Sequence, residues 1–335
     1  MLNNKIIKIQ PEVLEVTAEY DGIRLDRFIK LSINGIQQSH LEKLIGSGGI
    51  RVDGKKSKPN YHLSPTQKVT IPPKLKDQKY DLKLKHIFTP SKADLDLMKS
   101  SIIIEENDFI ALNKPSGIAV QGGSKIRRHI DGLIEHAFKN IDKHYLVHRL
   151  DLETSGALLI AKNRNCAKEL SELFKINKIE KIYIAIVCGK VKNNSGIIDL
   201  PIIKGQFGKA EKVLVDQKYG LKSITEYKVF GYSSGYSLLL LFPKTGRTHQ
   251  IRVHLSHLGN PILGDRKYGG ILKIDDNQNK NTSLKLHCFQ MSFKYKNKMK
   301  NIIRAELNND FNNTLKLLNL DQYLISINRF IQNEN

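Results

Sequence analysis

The alternation of apolar and polar positions predicts a small α/β domain at the start of the chain. An alternating segment predicts a strand, and the period then changes to that of two short helices, the second capped by Ser39 and ended by Gly48-Gly49. Two further short runs predict strands joined across a basic connection. The predicted strands lie at residues 12–20, 50–54 and 67–72, and the predicted helices begin at Leu25 and after Ser39. We therefore place a first domain over residues 1–73.

The pattern after this domain predicts a linker and then a larger, strand-rich domain. Residues 74–101 are rich in lysine and show little periodicity, so we expect a basic linker with at most one helical turn. From Ile102 onward, strand-like runs follow one another with few long helices between them. This distribution predicts an α+β domain over residues 102–335, built on a mixed and mainly antiparallel sheet.

The composition indicates a basic globular protein with a polyanionic partner. Of the 335 residues, 40% are hydrophobic and 26% are charged, and 54 Lys and Arg against 33 Asp and Glu give a formal net charge of +21. Such an excess favours nucleic acid as the partner. An anionic membrane is the rival, but no basic amphipathic helix and no membrane-spanning apolar run stands out.

The cysteines and the glycine-containing loop argue against several other classes. Cys166, Cys188 and Cys288 are scattered and lack metal-binding spacing, so we expect free thiols in a reducing compartment. No signal-peptide pattern is present at the start of the chain, and we expect a cytoplasmic protein. The loop at residues 121–125 matches neither glycine-rich nucleotide pattern, so we expect no cofactor.

The densest group of chemically useful side chains stands just before a buried strand. The segment His148–Gly156 reads HRLDLETSG and opens into the apolar run at residues 157–161. Crowding so many polar groups beside a hydrophobic strand is costly unless they are paired or used. Asp151 is therefore predicted to be a catalytic carboxylate at the mouth of a strand, the alternative being an ordinary turn residue.

The HRLD segment resembles the signature of the large-subunit ribosomal RNA pseudouridine synthases, the Rlu family. Three further segments resemble the family's motifs in the same order, at residues 112–117, 181–183 and 245–254. The resemblance implies an isomerase that converts uridines of bacterial 23S ribosomal RNA to pseudouridine, without metal or cofactor, as a monomer. Residues 114–123 look most like the C-type enzymes, and the D type is the alternative.

The same resemblance assigns roles to individual residues. Asp151 acts on the ribose, either as a nucleophile at the anomeric carbon or by removing a ribose proton to give a glycal. Tyr183 packs against the target base, and Arg252 pairs with Asp151. Arg149 enters the space that the flipped-out uridine leaves, and His148 orders the loop. The predicted RNA contacts of this domain are Lys114, His148, Arg149, Arg247 and His249.

The first domain resembles the S four-like RNA-binding domain, named for a ribosomal protein of the small subunit. Residues 24–28 and 50–55 carry the resemblance. The second helix departs from it, because Ser39, His40 and Glu42 stand where the family usually has arginine. The resemblance implies RNA contacts by Arg24, Arg27, Lys43, Arg51 and Lys55.

Two other functions are open to the sequence. His249, His254 and His257, with His148 and Asp151, are candidate metal ligands of a nuclease or hydrolase. Against this, the first two lie five residues apart, and no His-Glu-x-x-His pattern occurs. An RNA-binding protein without catalysis would also fit the charge, but that function leaves Asp151 and Tyr183 unexplained.

Overall fold

The computed structural model describes most of the chain and divides it into two compact units. The described residues are 12–33, 36–72, 90–122, 128–138, 144–207, 210–269, 282–296 and 300–334. The units lie within Met1–Ile87 and Phe88–Asn335, and each has hydrophobic core residues of its own. None of the helices in these described ranges is both long enough and apolar enough to span a membrane.

The first unit is a four-stranded antiparallel sheet with two helices. Its elements are β1 (Glu12–Glu15), a 3-10 turn (Ala18–Tyr20), α1 (Leu25–Ser32), α2 (Gln38–Ser47), β2 (Arg51–Val52), β3 (Lys55–Lys56) and β4 (Lys68–Ile71). The strand order is β1-β4-β2-β3. Leu25, Phe28 and Ile29 of α1 are buried, as their helical spacing predicted. Gly48 ends α2 in a left-handed conformation, but Ser39 lies inside the first turn, because the helix begins one residue before it.

A helix stands in the last part of the segment predicted to be a linker. α3 (Lys92–Ser100) begins at a capping box formed by Ser91 and Asp94. Its Met98 is fully buried in the core of the second unit. The helix is short and buries few residues, which explains why hydrophobic periodicity predicted no more than one turn there. Residues 74–89 of the predicted linker lie outside the described residues.

The second unit is built on one mixed sheet, as the sequence predicted. Its strands are β5 (Ile102–Glu105), β6 (Phe109–Lys114), β7 (Tyr145–Leu146), β8 (Ser155–Ala161), β9 (Glu180–Cys188), β10 (Ser195–Asp199), β11 (Ile202–Phe207), β12 (Ala210–Val215), β13 (Ile224–Ser233), β14 (Tyr236–Pro243), β15 (Leu286–Lys294) and β16 (Lys300–Arg304). The main sheet has the order β10-β13-β14-β9-β15-β8-β6-β5, with β16 beside β15 and β7 beside β8. β8 and β15 run parallel, whereas the other pairs are antiparallel. β11 and β12 form a separate hairpin.

Helices cover both faces of this sheet. They are α4 (Ile130–Ala137), α5 (Arg164–Lys175), α6 (Gln250–His257), α7 (Asn309–Leu317) and α8 (Leu324–Glu334), with a 3-10 turn at Asp321–Tyr323. Alternate residues of β9 belong to two different cores: Ala185 and Val187 pack with α3 to α6, and Ile184 and Ile186 pack with α7 and α8. The central strands are thus buried on both sides and form a rigid base for the loops at their ends.

The parallel pairing of β8 with β15 depends on a glycine. Gly156 has φ of +110°, and a Cβ atom there would lie 2.3 Å from the carbonyl oxygen of Cys288. Only glycine permits this approach. The polar segment before Gly156 is consequently fixed against the centre of the sheet.

Candidate active site

A cleft beside the start of β8 brings three of the four sequence motifs together. The motif before β8, the motif on β9 and the motif that leads into α6 all contribute side chains. The polar or aromatic residues that line the cleft include His148, Arg149, Asp151, Thr154, Phe174, Lys181, Tyr183, Thr245, Arg247, His249 and Arg252. Predicted site residues that are far apart in the sequence therefore share one cavity.

Asp151 lies at the mouth of β8 with two cationic or imidazole groups near its carboxylate. Its Oδ2 atom is 3.5 Å from Nη1 of Arg252 and 3.7 Å from Nε2 of His249. The Asp151 side chain is 25% exposed, whereas that of Arg252 is only 5% exposed. A carboxylate that is open to the cleft on one side and faces a buried cation on the other can act on a bound substrate.

The closest partner of Arg252 is Asp265, which the sequence analysis missed. Nε and Nη2 of Arg252 each donate to a carboxylate oxygen of Asp265 at 2.8 Å. Asp265 is fully buried and also accepts from the backbone N–H groups of Lys267 and Tyr268. Burial alone would lower the pKa of Arg252, but Asp265 raises it above its usual value, so the guanidinium is charged. The two-pronged contact fixes Arg252 in position beside Asp151.

His249, predicted as an RNA contact, is part of a hydrogen-bonded chain that ends near Asp151. The backbone N–H of Val213 donates to the hydroxyl of Tyr268 at 3.2 Å, and that hydroxyl lies 2.7 Å from Nδ1 of His249. His249 has a left-handed φ of +54° at the start of α6. Burial lowers its pKa, although Asp151 acts in the opposite direction. A neutral imidazole beside the carboxylate follows from this arrangement.

Tyr183 and His148 flank the cleft in different ways. Tyr183 packs in the core on one side of β9, opposite Ile182 and Ile184, because successive side chains of a strand point to opposite faces. Burial, with smaller contributions from Cys288 and Asp151, raises its pKa well above the usual value. The ring of His148 stacks on Phe174, and its Nε2 accepts the backbone N–H of Leu159 at 2.8 Å.

His148 is uncharged in this environment. Burial and the nearby charge of Lys181 lower its pKa to about 3. Because its Nε2 accepts from the middle of β8, the ring fastens the loop that carries Asp151 to the strand that follows it. These contacts agree with a loop-ordering role.

Lys114 is buried and unavailable to RNA, contrary to the prediction. Its ammonium donates to the carbonyl oxygens of Pro115, Ile118 and Leu152 at 2.7–3.2 Å. Burial lowers the pKa of Lys114 to about 7. A lysine beside a proline in a polar segment looks exposed in the sequence, but here it joins its own loop to the loop that carries Asp151.

Arg149 and Arg247 stand exposed at the rim of the cleft. Arg149 donates to the hydroxyl of Thr248 at 3.4 Å, and Arg247 donates to the carbonyl of Lys222 at 3.5 Å. The loop that carries Arg247 is held by Gln250, whose buried amide oxygen accepts from the backbone N–H of Arg247. Both positive side chains are thus available to a polyanion.

The predicted RNA contacts of the first unit all lie on its surface. Arg24 is bound to Asp26 at 2.5–3.1 Å, and Arg51 donates to the carbonyls of Gly48 and Gly54. The other three are exposed as well: Arg27, Lys43 and Lys55. Arg24 and Arg51 therefore have protein partners already.

The candidate metal ligands are not arranged to hold a metal ion, and two of them lie outside the lining of the cleft. Both ring nitrogens of His254 have protein partners, at the hydroxyl of Thr225 and the carbonyl of Leu200. His257 is exposed. Over the ranges that the structure describes, no group of three His, Cys, Asp or Glu side chains has an arrangement that could hold a metal ion.

Comparison with known proteins identifies the class to which this fold and cleft belong. A family model described as RNA pseudouridylate synthase matches residues 108–257. The ribosomal large subunit pseudouridine synthase C of Buchnera aphidicola subsp. Acyrthosiphon pisum is 35% identical over 323 residues, which cover 95% of this chain and 100% of the relative. The chain belongs to the RNA pseudouridylate synthase family. It is an isomerase, as the sequence motifs predicted.

The more particular similarity is to enzymes of the C type. The ribosomal large subunit pseudouridine synthase C of Haemophilus influenzae is 32% identical over 296 residues, covering 88% of this chain and 90% of the relative. The protein of the same name from Escherichia coli is 33% identical over 260 residues, covering 77% and 80%. The solved structure of human RNA pseudouridylate synthase domain containing 4 aligns with a TM-score of 0.58 and 25% identity, covering 67% of this chain and 95% of that one.

Proposed function

We propose that this pseudouridine synthase isomerises specific uridines of large-subunit (23S) ribosomal RNA, with Asp151 as its catalytic group and without a cofactor. The observation that carries the proposal is the position of Asp151, which is open to a cleft yet lies 3.5 Å from the buried Arg252. Tyr183 lines the same cleft. The names of the C-type relatives support the choice of RNA.

The reaction requires one carboxylate that faces the sugar throughout. Uracil must leave carbon one of the ribose, turn, and rejoin it through carbon five. Asp151 fits both possible schemes, attack on that carbon or removal of a neighbouring ribose proton. Tyr183 then packs against the base, since looped RNA bases are commonly held by aromatic side chains. Arg149, exposed at the rim, is suited to enter the stack from which the uridine leaves.

The first unit serves as an additional RNA-binding module in this proposal. Its exposed cations Arg27, Lys43 and Lys55 can contact phosphates, and Arg24 and Arg51 add charge next to their protein partners. A chain with net charge +21 is suited to a long polyanion. We propose that the enzyme acts as a monomer in the cytoplasm, where ribosomal RNA is assembled into ribosomal subunits.

The experiment is to incubate the purified protein with unmodified 23S ribosomal RNA in the presence of a chelator. Pseudouridines are then mapped by chemical labelling and primer extension, beside Asp151→Asn. That substitution keeps the size of the side chain and removes its negative charge. New pseudouridines with the wild type, absent with the variant although it still binds RNA, are the expected result.

Other outcomes would change the proposal in defined ways. Activity only without chelator would contradict catalysis without a metal. Turnover by Asp151→Asn close to that of the wild type would remove Asp151 from the reaction. Binding without any product would favour another RNA or an assembling particle as substrate, and the D-type site set would appear in the map as a different group of positions.

A further inference from the structure

Lys181 places a cation in the cleft, and neither the family motifs nor the contacts of Asp151 give this residue a role. It precedes Tyr183 by two residues on β9, so the two side chains leave the strand on the same side, roughly 7 Å apart. Both line the cleft. The Lys181 ammonium lies 3.7 Å from the point where a Cβ atom on Gly246 would stand. It is therefore held between β9 and the loop that leads to α6.

This ammonium has no counter-ion among the residues that the structure describes. Within the described part of the chain, Lys181 makes no ion pair and no hydrogen bond through its side chain. Two titratable groups interact electrostatically with Lys181, and both are uncharged: burial raises the pKa of Cys288 to about 12, and burial lowers that of His148 to about 3. Burial lowers the pKa of Lys181 itself.

Other buried lysines of the same unit are fully paired. Lys114 donates to three carbonyl oxygens, and Lys285 forms an ion pair with Asp310. A partly buried cation without a partner is costly to maintain. When such a group faces a cleft, it indicates a ligand with negative charge.

The chemistry of the reaction supplies such a charge next to Tyr183. When the bond between carbon one of the ribose and N1 of uracil breaks, its electron pair remains on the base, and the negative charge spreads to the O2 and O4 carbonyl oxygens. The pair that forms the new bond comes from carbon five. That carbon then releases its proton, and N1 gains one, so the base is neutral again.

We propose that Lys181 is a catalytic residue that donates a hydrogen bond to a carbonyl oxygen of the target uracil and stabilises the negative charge of the detached base. The proposal rests on the proposed function. Lys181 keeps its proton throughout, and Asp151 acts on the sugar. A donor that is fixed before the charge develops lowers the barrier, because it need not be reoriented during the reaction.

The test compares Lys181→Met with Lys181→Arg under single-turnover conditions. Methionine keeps the length of the side chain and removes its charge, whereas arginine keeps the charge. Lys244→Met is the matched control, since it removes an exposed charge that is paired with Glu226 at 2.8 Å near the same loop. We expect the rate to fall about 10²–10³-fold in Lys181→Met, with partial recovery in Lys181→Arg, no change in Lys244→Met, and similar RNA affinity throughout.

A second substrate distinguishes charge stabilisation from a structural role. In RNA with 5-fluorouridine at the target position, the base is a more stable anion and leaves more easily. Loss of the target nucleotide, followed over time, should therefore be less sensitive to Lys181→Met than loss of uridine. An equal defect with both substrates would mean that the variant only disturbs the cleft.

The remaining outcomes are equally decisive. A wild-type rate in Lys181→Met would overturn the proposal. Weaker RNA binding with an unchanged rate would assign Lys181 to a phosphate instead of the base. A wild-type protein that forms no pseudouridine in any RNA tested would be a failure of the proposed function, which is visible before any Lys181 variant is compared.

Discussion

At the scale of single residues, the catalytic region is organised by buried charges that hold loops in place. Lys114 connects its own loop to Leu152, one residue beyond Asp151. Asp265 holds Arg252 beside the same carboxylate. Neither contact takes part in the reaction itself, yet both determine where Asp151 lies. Removing either one should therefore affect turnover and stability together.

Asp265→Asn should weaken both the fold and the reaction. The amide has only one oxygen and cannot accept both N–H groups of the Arg252 guanidinium. Removing one partner of a buried ion pair costs about 3–5 kcal/mol of the free energy of unfolding. Arg252 would then bind Asp151 more tightly and make that carboxylate less reactive. We expect a single-turnover rate at least ~10-fold lower, measured beside urea denaturation.

Glu153→Gln is the matched control for this variant. Its carboxylate lies 3.6 Å from Nη2 of Arg252, but the side chain is 40% exposed, so water screens the pair. We expect a change of less than about 1 kcal/mol in the free energy of unfolding. Equal destabilisation by the two substitutions would contradict the importance of the buried pair.

Lys114→Met should destabilise the protein without changing its RNA affinity. The substitution leaves one buried and two partly buried carbonyl oxygens without their donor, and we expect the free energy of unfolding to fall by about 2 kcal/mol. Arg247→Met should weaken RNA binding and leave the stability of the protein unchanged, because Arg247 is exposed at the cleft rim. Thermal denaturation and salt-matched RNA titrations separate the two effects. Weaker binding by a Lys114→Met protein of normal stability would restore Lys114 as an RNA contact.

At the scale of elements, the junction between β8 and β15 fixes the start of β8, directly after the loop that carries Asp151. His287 of β15 is fully buried between Ser155 and the backbone of Ala305. The carbonyl of Ala305 can only accept, so Nε2 of His287 carries the proton, and Nδ1 accepts from the hydroxyl of Ser155 at 2.8 Å. This neutral histidine connects β15 to the residue that directly precedes Gly156.

The junction predicts a loss of stability in mild acid. Burial lowers the pKa of His287 to about 4, below the value of about 6.5 expected in the unfolded chain. As the pH falls, His287 takes up a proton in the unfolded chain before it does so in the folded protein. The stability that the neutral His287 contributes is therefore present above about pH 6.5 and is lost towards pH 4. Urea denaturation at pH 7 and pH 5 should show that the free energy of unfolding falls less between the two pH values in His287→Gln than in the wild type. His257→Gln, at an exposed histidine, should behave like the wild type.

Elements with strong local patterns could be predicted from the sequence, and others could not. β8, β9 and β14 are apolar runs, a pattern that predicts a buried strand from the sequence alone. β15 and β16 were not identified, although β15 lies at the centre of the sheet. β15 mixes His287, Gln290 and Ser292 with apolar residues, and these polar groups are satisfied only by partners elsewhere in the chain. A single sequence does not reveal such distant partners.

At the scale of the whole molecule, the sequence motifs indicated residues that share one cleft, but not the residues that hold them in place. The motifs that carry Asp151, Tyr183 and Arg252 meet in one cleft, as the family resemblance implied. Asp265 was missed because a lone Asp after a glycine is typical of a turn. Lys114 was misassigned because burial of a charged residue depends on tertiary contacts that no local pattern encodes.

The division into two compact units predicts that RNA affinity and catalysis can be separated. Each unit has its own core, so a chain without residues 1–73 should keep the cleft intact. It should bind 23S ribosomal RNA more weakly, and the dependence of log affinity on log salt should become less steep by about 0.7–0.9 for each phosphate that the shortened chain no longer neutralises. The single-turnover rate at saturating protein should stay within a few-fold of the full chain, with circular dichroism as the control for folding. An unchanged affinity and salt slope would mean that the exposed cations of the first unit do not bind this RNA, and that the positive charge around the cleft is sufficient.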